Sequence, residues 1–150
     1  MSGAIEESPP ELPGGLDPER IAVIEERLLT SPVAERLGLR LAEARPGSVT
    51  LCLPFDPANV TVGTMVHGGV IATLADVAAV SAAVSGARMV PKTGATSNLS
   101  IGFLSPAQGV TLLAEALVLR AGARQHVVRV SIATDEGKAV AEALATVVLG

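Results

Sequence analysis

The chain has 150 residues, 49% of them hydrophobic, and a formal net charge of −4 at pH 7. That length suits a single domain with one core, and so apolar a composition excludes a disordered chain. Without Trp or Tyr, and with an acidic balance, the chain lacks the stacking rings and basic surface of nucleic-acid-binding proteins, so no nucleic-acid partner is expected.

The N-terminal segment combines Pro and Gly with acidic side chains, a composition that resists helix and sheet. We predict a mobile tail over residues 1–16 and a single domain over residues 17–150. The segment has neither the basic region nor the apolar run of a signal peptide, and Cys52 is the only cysteine. We therefore expect a cytoplasmic protein without disulfides, bound metal, cofactor or membrane contact.

Helical signals follow the tail. Asp17 suits an N-cap, Pro18 suits the first helical position, and apolar residues then recur at helical spacing. These signals predict a surface helix over about 18–29 and a second, short helical turn that ends at Gly38.

Extended segments make up most of the remaining chain. The runs at 39–44 and 48–53 flank an Arg-Pro-Gly turn and predict a hairpin. Further strand-like segments are predicted at 96–104, 110–120, 124–134 and 138–149.

Between these strands, the segment from Gly68 to Gly86 is dominated by Ala, Val, Ile and Leu and predicts a long helix. A helix that is apolar on almost every face must be covered, and a small domain can do this by curling its sheet around the helix. We therefore predict an α+β fold in which a curled antiparallel sheet wraps around one long central helix, with another helix at the N-terminus.

Two glycines stand where a loop meets this central helix. Gly68 and Gly69, preceded by His67, are expected to leave free backbone N–H groups at the positive end of the helix dipole. Such a terminus can stabilise the oxyanion that develops during acyl transfer. The alternative is that the glycines only form a tight turn.

Asp76 is the sole carboxylate between Asp56 and Glu115, and it falls among apolar residues of the helix. The low charge of this stretch predicts that it is largely buried. Burying an isolated carboxylate costs free energy, which favours a general acid or base over a structural residue. The structural alternative is that Asp76 accepts a hydrogen bond from a Ser or Thr and holds the core together.

Helix geometry places the glycine-containing start of the helix far from Asp76. Gly68 and Asp76 are eight residues apart, about 12 Å along one helix, so they cannot act on one carbonyl carbon within a single chain. Two antiparallel copies of the helix in a twofold dimer would bring Asp76 of one copy to Gly68 of the other. The helix face that carries Asp76 is predicted to present mostly small residues, namely Gly69, Ala72, Thr73, Ala79, Val80 and Ala83.

The segment HGGVIATLAD, followed by TSNLSIGFLSPAQG, resembles the hotdog-fold acyl-CoA thioesterases of the phenylacetic acid degradation type. The resemblance covers about residues 39–149. It implies a hotdog fold, a homodimer that often pairs into a homotetramer, and hydrolysis of an acyl-CoA thioester.

On the matching positions, the resemblance implies that Asp76 is the nucleophile or the general base. It implies that the Gly68 amide polarises the thioester carbonyl, that Gly69 lies beside the substrate and that His67 positions the loop. Thr96 matches a residue that helps to orient the attacking water, and it also fits an ordinary strand residue.

One position departs from the family pattern. Many relatives carry an Asn six residues before the His, where this chain has Thr61, and the nearby Asn is Asn59. The hydrogen bond that this amide would make to substrate or water is assigned to Asn59, Thr61 or Thr64.

Cations gather near one predicted turn. Arg120 and Arg124 flank an Ala-Gly-Ala sequence, and Arg129 lies further along the next strand. Guanidinium groups suit the phosphates of coenzyme A, although each Arg alone also fits a solvated strand end. Other residues are interpreted as packing: His126 and Cys52 in the core, and Phe55, Met65 and Met89 around an apolar acyl pocket.

Three functions stay open at this point. The first is a thioesterase acting on an aryl or medium-chain acyl-CoA, and the second is a non-catalytic module of the same fold that binds acyl-CoA or a small apolar ligand. The third is a hotdog dehydratase or hydratase with His67 and Asp76 over the acyl chain. The placement of the residues fits the thioesterase most closely.

Overall fold

Residues 15–150 are described by the computed structural model of the chain. Their strands are β1 (Arg40–Arg45), β2 (Ser48–Leu53), β3 (Val60–Val62), β4 (Met65–Val66), β5 (Gly94–Phe103), β6 (Leu112–Ala121), β7 (Gln125–Thr134) and β8 (Ala139–Leu149). Their helices are α1 (Pro18–Val23), α2 (Pro32–Leu37) and α3 (Gly68–Gly86), with a π-helical turn at Ile24–Leu28 and a 3-10 turn at Pro57–Asn59.

Six of these strands form one antiparallel sheet in the order β1-β2-β6-β7-β8-β5. Side chains alternate across each strand, so β2 buries Val49, Leu51 and Leu53 on one face. Ala116 and Ala114 of β6 lie directly opposite the first two of these residues. Large apolar side chains of β2 therefore lie beside small ones of β6 and form a continuous apolar surface on which α3 packs.

α3 contacts all six strands, which requires the sheet to curl around it. Ala dominates the fully buried side of the helix and lets it approach the sheet closely; these residues are Ala75, Ala78, Ala79, Ala82 and Ala83. The predicted sheet around one central helix is confirmed. By length and hydropathy alone α3 could also cross a membrane, but 56% of its apolar window is buried within the protein.

The N-terminal helix begins as predicted. The Asp17 side chain accepts a hydrogen bond from the backbone N–H of Arg20, and Pro18 occupies the first helical position. The second half differs from a regular α-helix because the hydrogen bonding widens to a π-helical turn over Ile24–Leu28. Ile24, the first residue of that turn, is fully buried in the core.

A small hairpin lies in the segment that was predicted as a loop before α3. β3 and β4 pair antiparallel on either side of Gly63, whose φ of +57° is readily adopted only by glycine. Strands of three and two residues are too short to show alternation in the sequence. The hairpin ends directly before His67 and therefore fixes the approach of the chain to α3.

β5 occupies one edge of the sheet, and most of its side chains are exposed. The prediction that the stretch between Asp56 and Glu115 is largely buried is therefore wrong for β5 in a single chain. Phe103 and Leu104, at the end of the strand, are 53% and 62% exposed. An uncharged edge strand offers unpaired backbone groups that suit pairing with another chain.

Most of the predicted tail lies outside the described residues. Of the range 1–16, only Gly15 and Leu16 are described, and Leu16 is 3% exposed within the core. The division into a tail and one domain at residue 17 stays a prediction for the remainder.

Candidate active site

His67 caps the start of α3. Its Nδ1 accepts a hydrogen bond from the backbone N–H of Gly69 at 2.9 Å, and its own backbone N–H donates to the carbonyl oxygen of Asn59 at 2.8 Å. The prediction that both glycine amides are free is therefore wrong, because the cap uses that of Gly69. The N–H of Gly68 is one of the first four of the helix, which have no acceptor within it.

Gly68 lies on a cavity of about 370 Å³ between the start of α3 and the end of β5. Thr61, Met65 and Phe103 also line this cavity. A Cβ atom at position 68 would lie 3.4 Å from the Phe103 ring. Glycine therefore keeps open the space through which a substrate can reach the backbone amide.

Asp76 lies on the open side of α3 and is half-buried. Its Oδ1 accepts a hydrogen bond of 2.6 Å from the hydroxyl of Thr96 on β5. Both residues line a cavity of about 340 Å³ whose apolar walls include Leu28, Val77 and Val80. The expected deeply buried carboxylate is therefore wrong for a single chain: Asp76 is reached from a cavity.

The hydrogen bond from Thr96 determines which oxygen of Asp76 remains free to accept another hydrogen bond. An ionised carboxylate only accepts hydrogen bonds, so its second oxygen remains available to a water molecule. The Thr96 hydroxyl donates to Asp76 and still has lone pairs with which to accept from water. The pair can therefore hold and deprotonate water at one place.

Gly68 and Asp76 line different cavities within one chain, as their spacing predicts. The helix side between them is open at Ala72 and Thr73, and Val80, one turn beyond Asp76, is partly exposed as well. Ala79 and Ala83 were predicted on this side, and that is wrong because both are fully buried.

The structure brings Asn59 to the start of α3 and Thr61 to the Gly68 cavity, which Thr64 does not line. The backbone carbonyl oxygen of Asn59 accepts a hydrogen bond from the His67 N–H. The side-chain Nδ2 of Asn59 is buried and has no hydrogen-bond partner among residues 15–150. A buried donor without an acceptor is uncommon and suits a ligand atom or water. The sequence named Asn59 as one of three candidates, and the hairpin of β3 and β4 brings it back to His67.

The predicted cluster of three arginines is wrong. Arg124 lines a cavity near the C-terminal end of α3, and Arg120 is exposed at the end of β6. Arg129 lies on the exposed face of the sheet, with its Nε 3.8 Å from a carboxylate oxygen of Glu142. Because Arg120 pairs with Val127, it shares this outer face with Arg129, whereas Arg124 precedes β7 and lines the cavity.

Cys52 is half-buried on the opposite side of β2 from the core residues Leu51 and Leu53, so its assignment to the core is wrong. Desolvation by burial raises the pKa of the Cys52 thiol, which disfavours a nucleophilic thiolate. His126, at 2% exposure, is buried as predicted.

The three residues predicted around an acyl pocket lie in three different places. Met65 lines the Gly68 cavity, Phe55 packs against the core, and Met89 is 82% exposed beyond the end of α3. Within the described range 15–150, no group of three or more His, Cys, Asp or Glu side chains is arranged to hold a metal ion.

Comparisons with known sequences agree on one family. Residues 63–141 match the family profile described as the thioesterase superfamily. Over 112 residues the chain is 35% identical to a Halobacterium salinarum protein provisionally named an esterase, covering 71% of this chain and 72% of that protein.

Solved structures with the same architecture carry related names. A thioesterase family protein from Silicibacter pomeroyi has a TM-score of 0.80 and 28% identity, covering 87% of this chain and 97% of its own. PaaI of E. coli, from the phenylacetic acid degradation operon, has a TM-score of 0.80 at 23% identity, covering 91% and 96%. A hypothetical thioesterase from Streptococcus pneumoniae, solved with coenzyme A, has a TM-score of 0.67 at 22% identity, covering 75% and 85%.

Proposed function

The chain belongs to the thioesterase superfamily and has the hotdog fold, and on this basis we propose that it is a homodimeric acyl-CoA thioesterase. In this proposal, Asp76 of one subunit and Gly68 of the other act on the same thioester. The observation that carries it is the hydrogen bond between Thr96 and Asp76 beside an open cavity. An aspartate that only held the core together would have no cavity in front of it.

The Gly68 side of the site supplies electrostatic stabilisation. The thioester carbonyl lies at the start of α3, where the Gly68 N–H donates to the oxygen as negative charge develops on it. The positive end of the helix dipole adds to this effect. His67 acts as a positioning residue because its ring and backbone hold the turn that presents this amide. Gly69, next to it, contacts the substrate through its exposed backbone.

The Asp76 side supplies the base. Thr96 holds one carboxylate oxygen, and the other removes a proton from water as that water attacks the carbonyl carbon. The carbon–sulfur bond then breaks, and the thiolate of coenzyme A takes up the proton. In the alternative route Asp76 attacks the carbonyl carbon itself, the carbon–sulfur bond breaks to release the thiolate of coenzyme A, and water then hydrolyses the resulting anhydride. Asn59 and Thr61 provide the further hydrogen bond to substrate or water.

Two features of the single chain support the dimer. The edge strand β5 is exposed and uncharged, so two copies can pair there and continue the sheet. The open side of α3 carries small residues such as Ala72 and Thr73, which allow an antiparallel partner helix to approach. We propose that such dimers pair further into a tetramer.

The substrate proposal rests on the walls of the site. The apolar walls of the cavity beside Asp76 suit an aryl or medium-chain acyl group, and the coenzyme A in the Streptococcus pneumoniae structure supports a CoA thioester. Arg124 and Arg120 are proposed contacts for its phosphates.

Replacement of Asp76 tests the proposal. Asp76→Asn keeps the size and the hydrogen bond from Thr96 but removes the base, so kcat should fall by about 10²–10⁴-fold. Thiol release would be measured with acyl-CoAs of increasing chain length and with phenylacetyl-CoA. Asp135→Asn, at an exposed turn, is the matched control and should keep full activity.

Unchanged turnover in folded, dimeric Asp76→Asn would overturn the proposal. The departure at Thr61 favours one alternative, a non-catalytic module that binds acyl-CoA. Tight binding of the whole substrate panel by the wild-type protein, without any thiol release, would support that alternative instead.

A further inference from the structure

A cavity of about 430 Å³ lies at the end of α3 that is remote from Gly68. The loop that follows α3 forms one wall, and the turn between β6 and β7 forms another. No part of the site proposed above except Arg124 lines it.

The cavity is lined by three cations, Arg88, Lys92 and Arg124, and by no Asp or Glu side chain. None of the three forms a salt bridge with another residue in the range 15–150. Cations after the last turn of a helix are favoured by its dipole, which accounts for Arg88. It does not account for Arg124, which comes from a distant part of the chain and faces the same space.

His126 lies in the wall of this cavity and is 2% exposed. Its Nδ1 is buried and has no hydrogen-bond partner within residues 15–150. Buried polar atoms almost always have a partner in the protein, in water or in a ligand. Asn59 has the other such atom in the described chain, and it lies at the proposed catalytic site.

The remaining wall is apolar. Met89 is 82% exposed there, and Val90, Pro91 and Leu149 line the space beside it. Cations next to an apolar surface suit a ligand that combines negative charge with a flat, weakly polar body. A nucleoside phosphate has this composition.

We propose that this cavity binds a nucleoside phosphate, with its phosphates at Arg88, Lys92 and Arg124 and its base against Met89. One source is the nucleotide end of the CoA substrate, and that version rests on the proposed function. Asp76 and Gly86 are ten residues apart, about 15 Å along α3, a separation that an extended pantetheine arm spans. The other source is a free nucleotide.

Calorimetric titration with adenosine 3′,5′-bisphosphate and with ATP tests the site itself. Lys92→Ala and Arg124→Ala should each weaken binding about tenfold, because each removes a charge-assisted contact. Arg36→Ala removes an exposed cation at the end of α2 and should leave binding unchanged. Nucleotides that bind the wild-type protein and the cavity variants equally would overturn the inference.

Kinetics with two substrates distinguish the sources. An acyl-N-acetylcysteamine thioester keeps the reacting group but lacks the nucleotide. If the cavity holds the nucleotide of CoA, Lys92→Ala raises KM for acyl-CoA at constant kcat and leaves the shorter substrate unaffected. If it holds a free nucleotide, KM is unchanged for both substrates although ATP binding is lost. The titration measures nucleotide binding whether or not the protein hydrolyses acyl-CoA. A negative result with Asp76→Asn would therefore overturn the proposed function without overturning the nucleotide site.

Discussion

At the scale of single residues, the proposed site is defined by groups that the protein has left without a partner. The cap by His67 uses the N–H of Gly69 and leaves that of Gly68. Thr96 likewise holds one oxygen of Asp76 and leaves the other. Hydrogen bonds of the protein thus orient both functional groups without consuming them, which is the arrangement that electrostatic preorganisation requires.

The cap can be tested by two substitutions of His67. His67→Ala removes the acceptor for Gly69 and should lower the free energy of unfolding by about 1 kcal/mol. His67→Asn supplies another favoured N-cap side chain and should restore most of that loss. Urea denaturation measures both, and a His67→Ala variant as stable as the wild-type protein would show that the Nδ1 bond contributes nothing to the helix.

At the scale of elements, α1 is bound to the loop that leaves α3. The Arg20 guanidinium pairs with Asp17 and donates to the Ala87 carbonyl oxygen at 2.7 Å. In the π-helical turn that follows α1, Arg27 donates to the carbonyl oxygen of Lys92 at 2.9 Å. Because Arg27 also lines the Asp76 cavity, the stability of this helix bears directly on the shape of the proposed acyl site.

Replacement of Asp17 tests the start of that helix. Asp17→Ala removes the N-cap and should cost about 0.5–2 kcal/mol of unfolding free energy, whereas Asp17→Asn keeps a capping side chain. The hydrogen bond from the Arg20 backbone holds the pKa of Asp17 below its ordinary value of 3.8.

The sign of the pH effect follows from that lowered pKa. The folded state favours the charged carboxylate, so its contribution is complete above 3.8 and is lost as pH falls through the lower folded-state pKa. The wild-type advantage over Asp17→Asn in thermal denaturation should therefore shrink as the pH is taken below that value. An advantage that stays constant down to acid pH would exclude a contribution from the charge.

At the scale of the whole molecule, the proposed site exists only between two copies. One chain presents Gly68 and Asp76 in separate cavities, and its edge strand β5 and the open side of α3 are both uncovered. A twofold axis beside α3 would place each Gly68 next to the partner's Asp76 and create two equal sites.

Mixed dimers test this arrangement. Gly68→Val should block the approach to the amide, since even a Cβ meets the Phe103 ring at 3.4 Å. Co-expression of Gly68→Val with Asp76→Asn gives heterodimers with one doubly altered and one intact site, so roughly a quarter of wild-type kcat should return. If both residues act within one chain, the mixture stays as inactive as either variant alone.

Elements that depend on neighbouring residues could be predicted from the order of amino acids alone. The central helix runs from Gly68 to Gly86 as predicted, since its bounds are set by glycines and its all-round apolar surface. The cap at Asp17 and the six strands of the large sheet also follow local signals, and the bounds of these strands agree within about two residues. For the same reason Gly68 and Asp76 could be singled out: a helix start and a lone carboxylate are visible along the chain.

Contacts between residues far apart in the chain were not predictable and are seen only in the folded protein. Thr96 and Asp76 are 20 residues apart and come together because β5 returns along α3. Arg124 joins Arg88 at one cavity whereas Arg129 faces the other side of the sheet, and Asn59 reaches His67 through the hairpin of β3 and β4. Periodicity and capping arise from contacts within a few residues, but strand order and register are set by packing across the whole sheet, which no local pattern encodes.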